Sequence, residues 1–129
     1  MKRMIISLFL LSLMTSTLMA GGLDITTLMS RDLADVLGKE VSMITVEYPP
    51  GWSDPVHRHY AQSFVYVLEG SVVMQLEGGK EVTLSPGQTF YEGPADVHVV
   101  GRNASKTRPA KMLIVLVKAK GAPILVPVK

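Results

Sequence analysis

The chain has 129 residues, 47% of them hydrophobic and 19% charged, with 13 Lys+Arg, 11 Asp+Glu, three His and no Cys. That length suits one domain of roughly 100–200 residues, and the composition excludes wholesale disorder. Zero cysteines exclude disulfides, thiolate zinc sites, cysteine nucleophiles and a lipid anchor on cysteine. Without Lys2 and Arg3 the balance is 11 basic against 11 acidic residues, and the basic ones are scattered. Nothing in the charge points to nucleic acid.

The first residues read as an address. Met1-Lys2-Arg3 is a positive start, Met4 to Met14 is apolar except for Ser7 and Ser12, and the stretch closes on Ala20-Gly21-Gly22. Basic, apolar, then small is the order of a secretory signal peptide. The apolar run is too short for a spanning helix, which needs about 20 residues, so no stable membrane anchor is expected. Cleavage fits after Ala20, or after Gly22 with Ala20 at the −3 position. We therefore expect a signal peptide over 1–22, an arm over 23–40 and one domain over 41–129, exported to the periplasm or beyond.

In the arm, Leu28, Met29, Leu33, Val36 and Leu37 recur at three- and four-residue steps before Gly38. That spacing suggests a helical turn, and an extended arm is the alternative. From Val41 the pattern is β: short runs of Val, Thr, Ile and Tyr separated by Gly, Pro and Asp. Strands are expected near 41–48, 56–58, 63–69, 71–77, 80–84, 88–91, 97–102, 111–118 and 124–127. Glu69-Gly70 and Gly78-Gly79 suit tight hairpins, and Pro86-Gly87 suits a turn with positive φ at the glycine. The expected class is all-β, a sandwich or barrel.

All three histidines fall where they can act together. His57 and His59 are two apart, so an extended strand turns both imidazoles to one face. His98 follows a Gly-Pro turn about forty residues later and opens another β run. Three neutral imidazoles make a borderline-soft site for Fe, Mn, Ni, Cu or Zn. An accidental, solvent-exposed H-x-H pair is the bland alternative.

The frame around them decides. Gly51-x5-His57-x-His59, then Phe64 to Gly70, then Pro86-Gly87-Gln88-Thr89-Phe90 and Gly93-Pro94-x3-His98 resemble the two signature motifs of the cupin superfamily. The likeness is greatest to small single-domain cupins of the quercetin-dioxygenase-like type, and it covers residues 41–128. It implies a double-stranded β-helix, a jelly-roll-like barrel holding one divalent transition metal on His57, His59 and His98. Three departures stand out. The family's fourth ligand, a Glu, falls on Ser63, with Gln62 beside it as a weaker candidate. The Pro-x-Gly before the last histidine falls on Gly93 and Ala95, with Pro94 displaced. The Asn after that histidine falls on Arg102, with Asn103 one further on. A site of three histidines and M²⁺ without a carboxylate carries formal charge +2, which would favour anionic or chelating substrates.

Other residues are weighed against this frame. Tyr66, Phe90 and Tyr91 are expected in the core more than in a cavity, and Trp52 is a candidate cover for the barrel mouth. Asn103-Ala104-Ser105 matches a glycosylation sequon. If Ser63 points inward, Val65 and Val67 do too, while Phe64, Tyr66 and Leu68 point outward. An apolar outer face calls for cover, so a homodimer is expected. Two function classes follow: a metal-dependent, dioxygenase-like enzyme acting on a small oxygenated molecule, or a non-catalytic module binding a small ligand or metal. No catalytic residue beyond the metal ligands is visible in the sequence.

Overall fold

The computed structural model describes residues 22–129. The expected signal peptide lies almost wholly outside those residues. Among the described residues there is no helix, and ten strands form two five-stranded antiparallel sheets. The strands are β1 (Asp24–Asp32), β2 (Lys39–Tyr48), β3 (His57–Arg58), β4 (Ala61–Glu69), β5 (Val72–Leu76), β6 (Val82–Leu84), β7 (Thr89–Glu92), β8 (His98–Asn103), β9 (Ala110–Ala119) and β10 (Val126–Pro127). One sheet runs β1-β2-β9-β4-β7, the other β10-β3-β8-β5-β6.

The first sheet is built on long ladders. β2 and β9 pair without a break from Lys39↔Ala119 to Tyr48↔Ala110. β4 lies on the other side of β9, from Ala61↔Lys118 onward, with a bulge between Val67 and Glu69. Alternation is what places these strands: Ile44, Val46, Tyr48 on β2 and Met112, Ile114, Leu116 on β9 are buried, and the residues between them are half-buried. Met74 of β5 joins this core from the facing sheet. Each fully buried aliphatic chain contributes roughly 1.5–3 kcal/mol of transfer free energy.

β4 follows the expected parity. Ser63, Val65 and Val67 are 0–2% exposed, while Phe64, Tyr66 and Leu68 are 49%, 44% and 38% exposed. The same parity corrects three expectations. Tyr66 and Tyr91 belong to the outer face, where they line an open groove with Phe64 and Val115, and not to the core; only Phe90 packs against the core. Gln62 also faces outward, where its Oε1 accepts a hydrogen bond from the Tyr91 hydroxyl. It is no metal ligand.

The N-terminal arm is a strand, not a helical turn. β1 pairs with β2 from Asp24↔Glu47 to Asp32↔Glu40, and all nine of its residues are exposed. A bulge between Thr27 and Met29 shifts the register around Leu28. That extra residue breaks the two-residue period and leaves apolar side chains at spacings that mimic a helix. The remainder of the arm is the loop from Leu33 to Gly38, closed by Leu33 N–H on Lys39 O at 3.0 Å. The Pro86-Gly87 turn is as expected, with φ +88° at Gly87.

Candidate metal centre

The loop Pro49–Val56 delivers the first two histidines. Asp54 N–H donates to Gly101 O at 2.7 Å, and His57 then starts β3 directly opposite His98 of β8. Arg58 points away, and His59 returns to the inner side just before Tyr60 turns the chain at φ 48° into β4. All three histidines are buried, at 2%, 8% and 3% exposure. Their rings gather closely: the His57 centroid is 4.8 Å from those of both His59 and His98.

A fourth side chain enters from the facing sheet. Glu92 ends β7 opposite Ser63, is buried, and places Oε2 3.4 Å from His59 Nε2 and 3.2 Å from His98 Nδ1. One donor atom from each of His57, His59, Glu92 and His98 lies within 4.8 Å of the others. This corrects the carboxylate-free set expected from the sequence. The acid is present, carried on the strand beside Ser63. With a divalent ion the four side chains give formal charge +1, not +2, so the expected preference for anionic substrates loses its basis.

The histidine tautomers follow from their partners. A backbone carbonyl only accepts, so His57 Nδ1 donates to Pro55 O (2.8 Å) and His59 Nδ1 donates to Ile124 O (2.6 Å). In its neutral form each ring directs a bare Nε2 inward, and the two Nε2 atoms face each other at 3.1 Å. Two lone pairs at that distance repel unless a proton or a cation lies between or beside them. Both His98 nitrogens are buried without a well-directed hydrogen bond. This donor set fits a first-row divalent ion, with the outer hydrogen bonds fixing ring orientation as metal-bound imidazoles require.

The charges respond to one another. Burial alone would lower the His98 pKa, but the Glu92 carboxylate outweighs it and holds the imidazole above its ordinary 6.5. Burial alone would raise Glu92, yet His98 and the other two imidazoles hold it below the ordinary carboxyl value. His57 is pushed down by burial and by its histidine neighbours, against the Pro55 carbonyl. Without metal, the centre therefore favours a neutral His57 and a charged His98–Glu92 pair.

Around these ligands lies a cavity of about 30 Å³, room for a water-sized occupant. Aliphatic side chains form most of its wall, and among the described residues no Lys or Arg lines it. Asp54 and Tyr48, both missed in the sequence, also reach it. Asp54 accepts from the Tyr48 hydroxyl and from Trp52 Nε1 (2.6 Å), so Trp52 braces this carboxylate and packs on the core. Burial, reinforced by the Asp54 charge, pushes the Tyr48 pKa well up and keeps the hydroxyl a donor. Gly101 makes the arrangement possible: a Cβ there would come within 2.7 Å of Asp54 Oδ2 and 3.1 Å of His98 Nε2.

Asn103 has a structural role. Its Nδ2 donates to Tyr48 O, Pro49 O and Arg108 O, and its Oδ1 accepts from Ser105 N–H at 2.8 Å. Being buried and fully bonded, it is not an accessible glycosylation site. At the displaced Pro94 turn, Asp96 Oδ2 accepts from Gly93 N–H at 2.6 Å and closes the loop before His98.

A fold of two facing antiparallel sheets with a three-histidine, one-glutamate cluster between them defines a cupin. The family model described as "Cupin domain" matches residues 44–116, and the chain belongs to that family. An oxalate oxidase solved with the substrate analogue glycolate is 27% identical at TM-score 0.63, over 84% of this chain and 56% of that one. The DMSP lyase DddQ from Ruegeria pomeroyi DSS-3 is 25% identical at TM-score 0.57, over 67% of this chain and 42% of that one. The chain thus spans about half the length of these enzymes. A RmlC-like cupin from Shewanella frigidimarina NCIMB 400 matches more evenly, over 80% of this chain and 82% of that one, at 19% identity and TM-score 0.59, and speaks for the fold alone. No curated protein sequence matches the chain. Among the described residues no helix is long and apolar enough to cross a membrane.

Proposed function

We propose that the protein is an exported cupin enzyme that holds one divalent transition metal on His57, His59, His98 and Glu92 and acts on a small oxygenated organic molecule. The observation that carries this reading is the pair of bare Nε2 atoms facing each other at 3.1 Å while both Nδ1 atoms are bonded to carbonyls. Such a geometry calls for a positive charge between the two nitrogens, and a metal ion meets it with Glu92 and His98 as the further ligands. When bound, a divalent ion supplies Lewis acidity and, if it is Fe, Mn, Ni or Cu, a route to dioxygen-dependent oxidation. Asp54 and Tyr48 are then the groups best placed to hold or move a proton on the substrate. The aliphatic, lysine- and arginine-free wall favours a compact molecule with one metal-seeking oxygen over a dianion. The similarity to oxalate oxidase and DMSP lyase supports an enzyme and leaves the substrate to be found by assay.

The cavity's small size favours a second reading, a non-catalytic module whose ligand is the metal itself. Oxygen consumption by metal-loaded protein against flavonols, catechols and diketones separates the two. Turnover that disappears in Glu92→Gln supports the enzyme; stoichiometric metal with no turnover supports the module.

Export rests on the leader pattern of Met1 to Ala20. Intact mass of protein secreted through its own leader should show a chain beginning between Gly21 and Leu23. Full-length chain in the membrane fraction would contradict it. The exposed Phe64, Tyr66, Leu68 and Tyr91 form one apolar face on β4 and β7, and we propose that a second copy covers it. Light scattering should give a dimer at micromolar concentration, and charged replacements of Tyr66 and Leu68 should abolish it.

A further inference from the structure

We infer that the C-terminal segment from Lys120 to Val128 is a movable strap that both sets the orientation of His59 and forms the wall through which the metal cavity is entered. The inference rests on the metal reading above.

The first half of the argument is the hydrogen bond from His59 Nδ1 to Ile124 O at 2.6 Å, which joins a ligand to a residue 65 positions away. Among the described residues nothing else bonds that nitrogen, so the strap carbonyl holds the proton on Nδ1 of His59. The strap is anchored at its base. Buried Lys118 donates to Ala122 O at 2.7 Å and pairs with Glu40, and Ala122 N–H donates to Ala119 O at 3.0 Å. Bonds to outer partners of this kind typically govern metal affinity by about 10–100-fold.

The second half is the contrast among the cavity walls. Ile124 and Leu125 close one side, and Leu23 and Ile25 another. The remaining wall belongs largely to strands locked in long ladders. Ile25 sits on β1, itself paired with β2 as far as Asp32↔Glu40. β10 is held to β3 by only two pairs, Val126↔Arg58 and Pro127↔His57, plus Val128 N–H on Val56 O at 2.9 Å. Pro123 and Pro127 have no N–H to give, so the strap cannot extend its ladder. A cavity of about 30 Å³ is too small to hold an organic molecule beside the metal unless a wall gives, and the strap is a wall held by few backbone pairs.

A reversible lock tests it. Arg58 and Val126 are direct cross-strand partners facing away from the inward His57 and His59, and the chain has no other cysteine. In Arg58→Cys/Val126→Cys loaded with Co²⁺, the oxidised strap should release the ion to excess chelator about tenfold or more slowly than the reduced one. The reduced form should match wild type. Ile124→Gly, which loosens the strap, should release faster, and nitrogen NMR of the metal-free protein should show His59 losing its fixed Nδ1–H tautomer; Ile124→Val should restore both. Equal release from oxidised and reduced protein, or two cysteines that will not oxidise, would overturn the strap. A wild type that binds no Co²⁺ would instead remove the metal reading on which it rests.

Discussion

The long ladders of the first sheet and the short ones of the second do different work, although Glu92 joins the centre from the first sheet. In one, β2 and β9 pair along ten residues and bury Ile44, Met112 and Leu116 between them and the facing sheet. In the other, β3 and β10 are two residues each, yet they present His57 and position His59. Long ladders and aliphatic alternation make a body whose stability does not depend on the centre. Short ladders leave backbone carbonyls such as Pro55 O and Ile124 O free to orient imidazoles. Stability and chemistry are thus carried by different strands, and substitutions can separate them.

The largest effect is expected in the body. Leu116→Ala removes a fully buried side chain and should cost about 2–5 kcal/mol in chemical denaturation, with metal stoichiometry kept in the protein that remains folded. His57→Ala should do the reverse: metal affinity falls by at least about 100-fold while the metal-free protein stays folded by circular dichroism. If His57→Ala unfolds the metal-free chain, the two regions are not separable.

A subtler effect lies in pH. Glu92, held below its ordinary 4.5, contributes stability above that value and loses it as acid protonates the carboxylate. His98, held above 6.5, contributes stability below that value and loses it as pH rises through its folded-state pKa. The two contributions overlap between 4.5 and 6.5. In metal-free protein the gap in melting temperature between wild type and Glu92→Gln should therefore be widest near pH 5.5 and narrow by pH 8.5. With metal bound the trend should reverse, because the imidazoles bind an ion only when neutral. A gap that ignores both pH and metal would mean that Glu92 does not interact with the histidines.

The smallest effect belongs to the surface. Lys120 and Asp32 pair where both are more than half exposed, so Lys120→Met should leave the melting temperature within about 1 °C. A larger drop would show that the base of the strap depends on this pair as well as on buried Lys118.

What the sequence made legible was local. The two-residue spacing of His57 and His59 and the parity of Ser63 through Leu68 are properties of a single strand, and both hold in the fold. Glu92 was not legible, because its place depends on the register Ser63↔Glu92 and on two sheets facing each other. A lone acid ending the short Thr89–Glu92 strand, opposite a small polar residue where an acid was expected, is the trace it leaves. With Glu92 already in place opposite Ser63, a Ser63→Glu substitution would set a second buried carboxylate beside the first and destabilise the centre. Asp54 reaches the cavity only because Gly101 leaves room for it. At β1 the bulge after Thr27 hid a strand behind helical spacing, a local signal misread because one residue was out of step.

The most direct test of the four-ligand centre is metal content by mass spectrometry after dialysis at neutral pH. The geometry predicts one divalent transition metal per chain in wild type and essentially none in His98→Ala. A wild type that retains no metal, or a His98→Ala protein that retains as much, would contradict it.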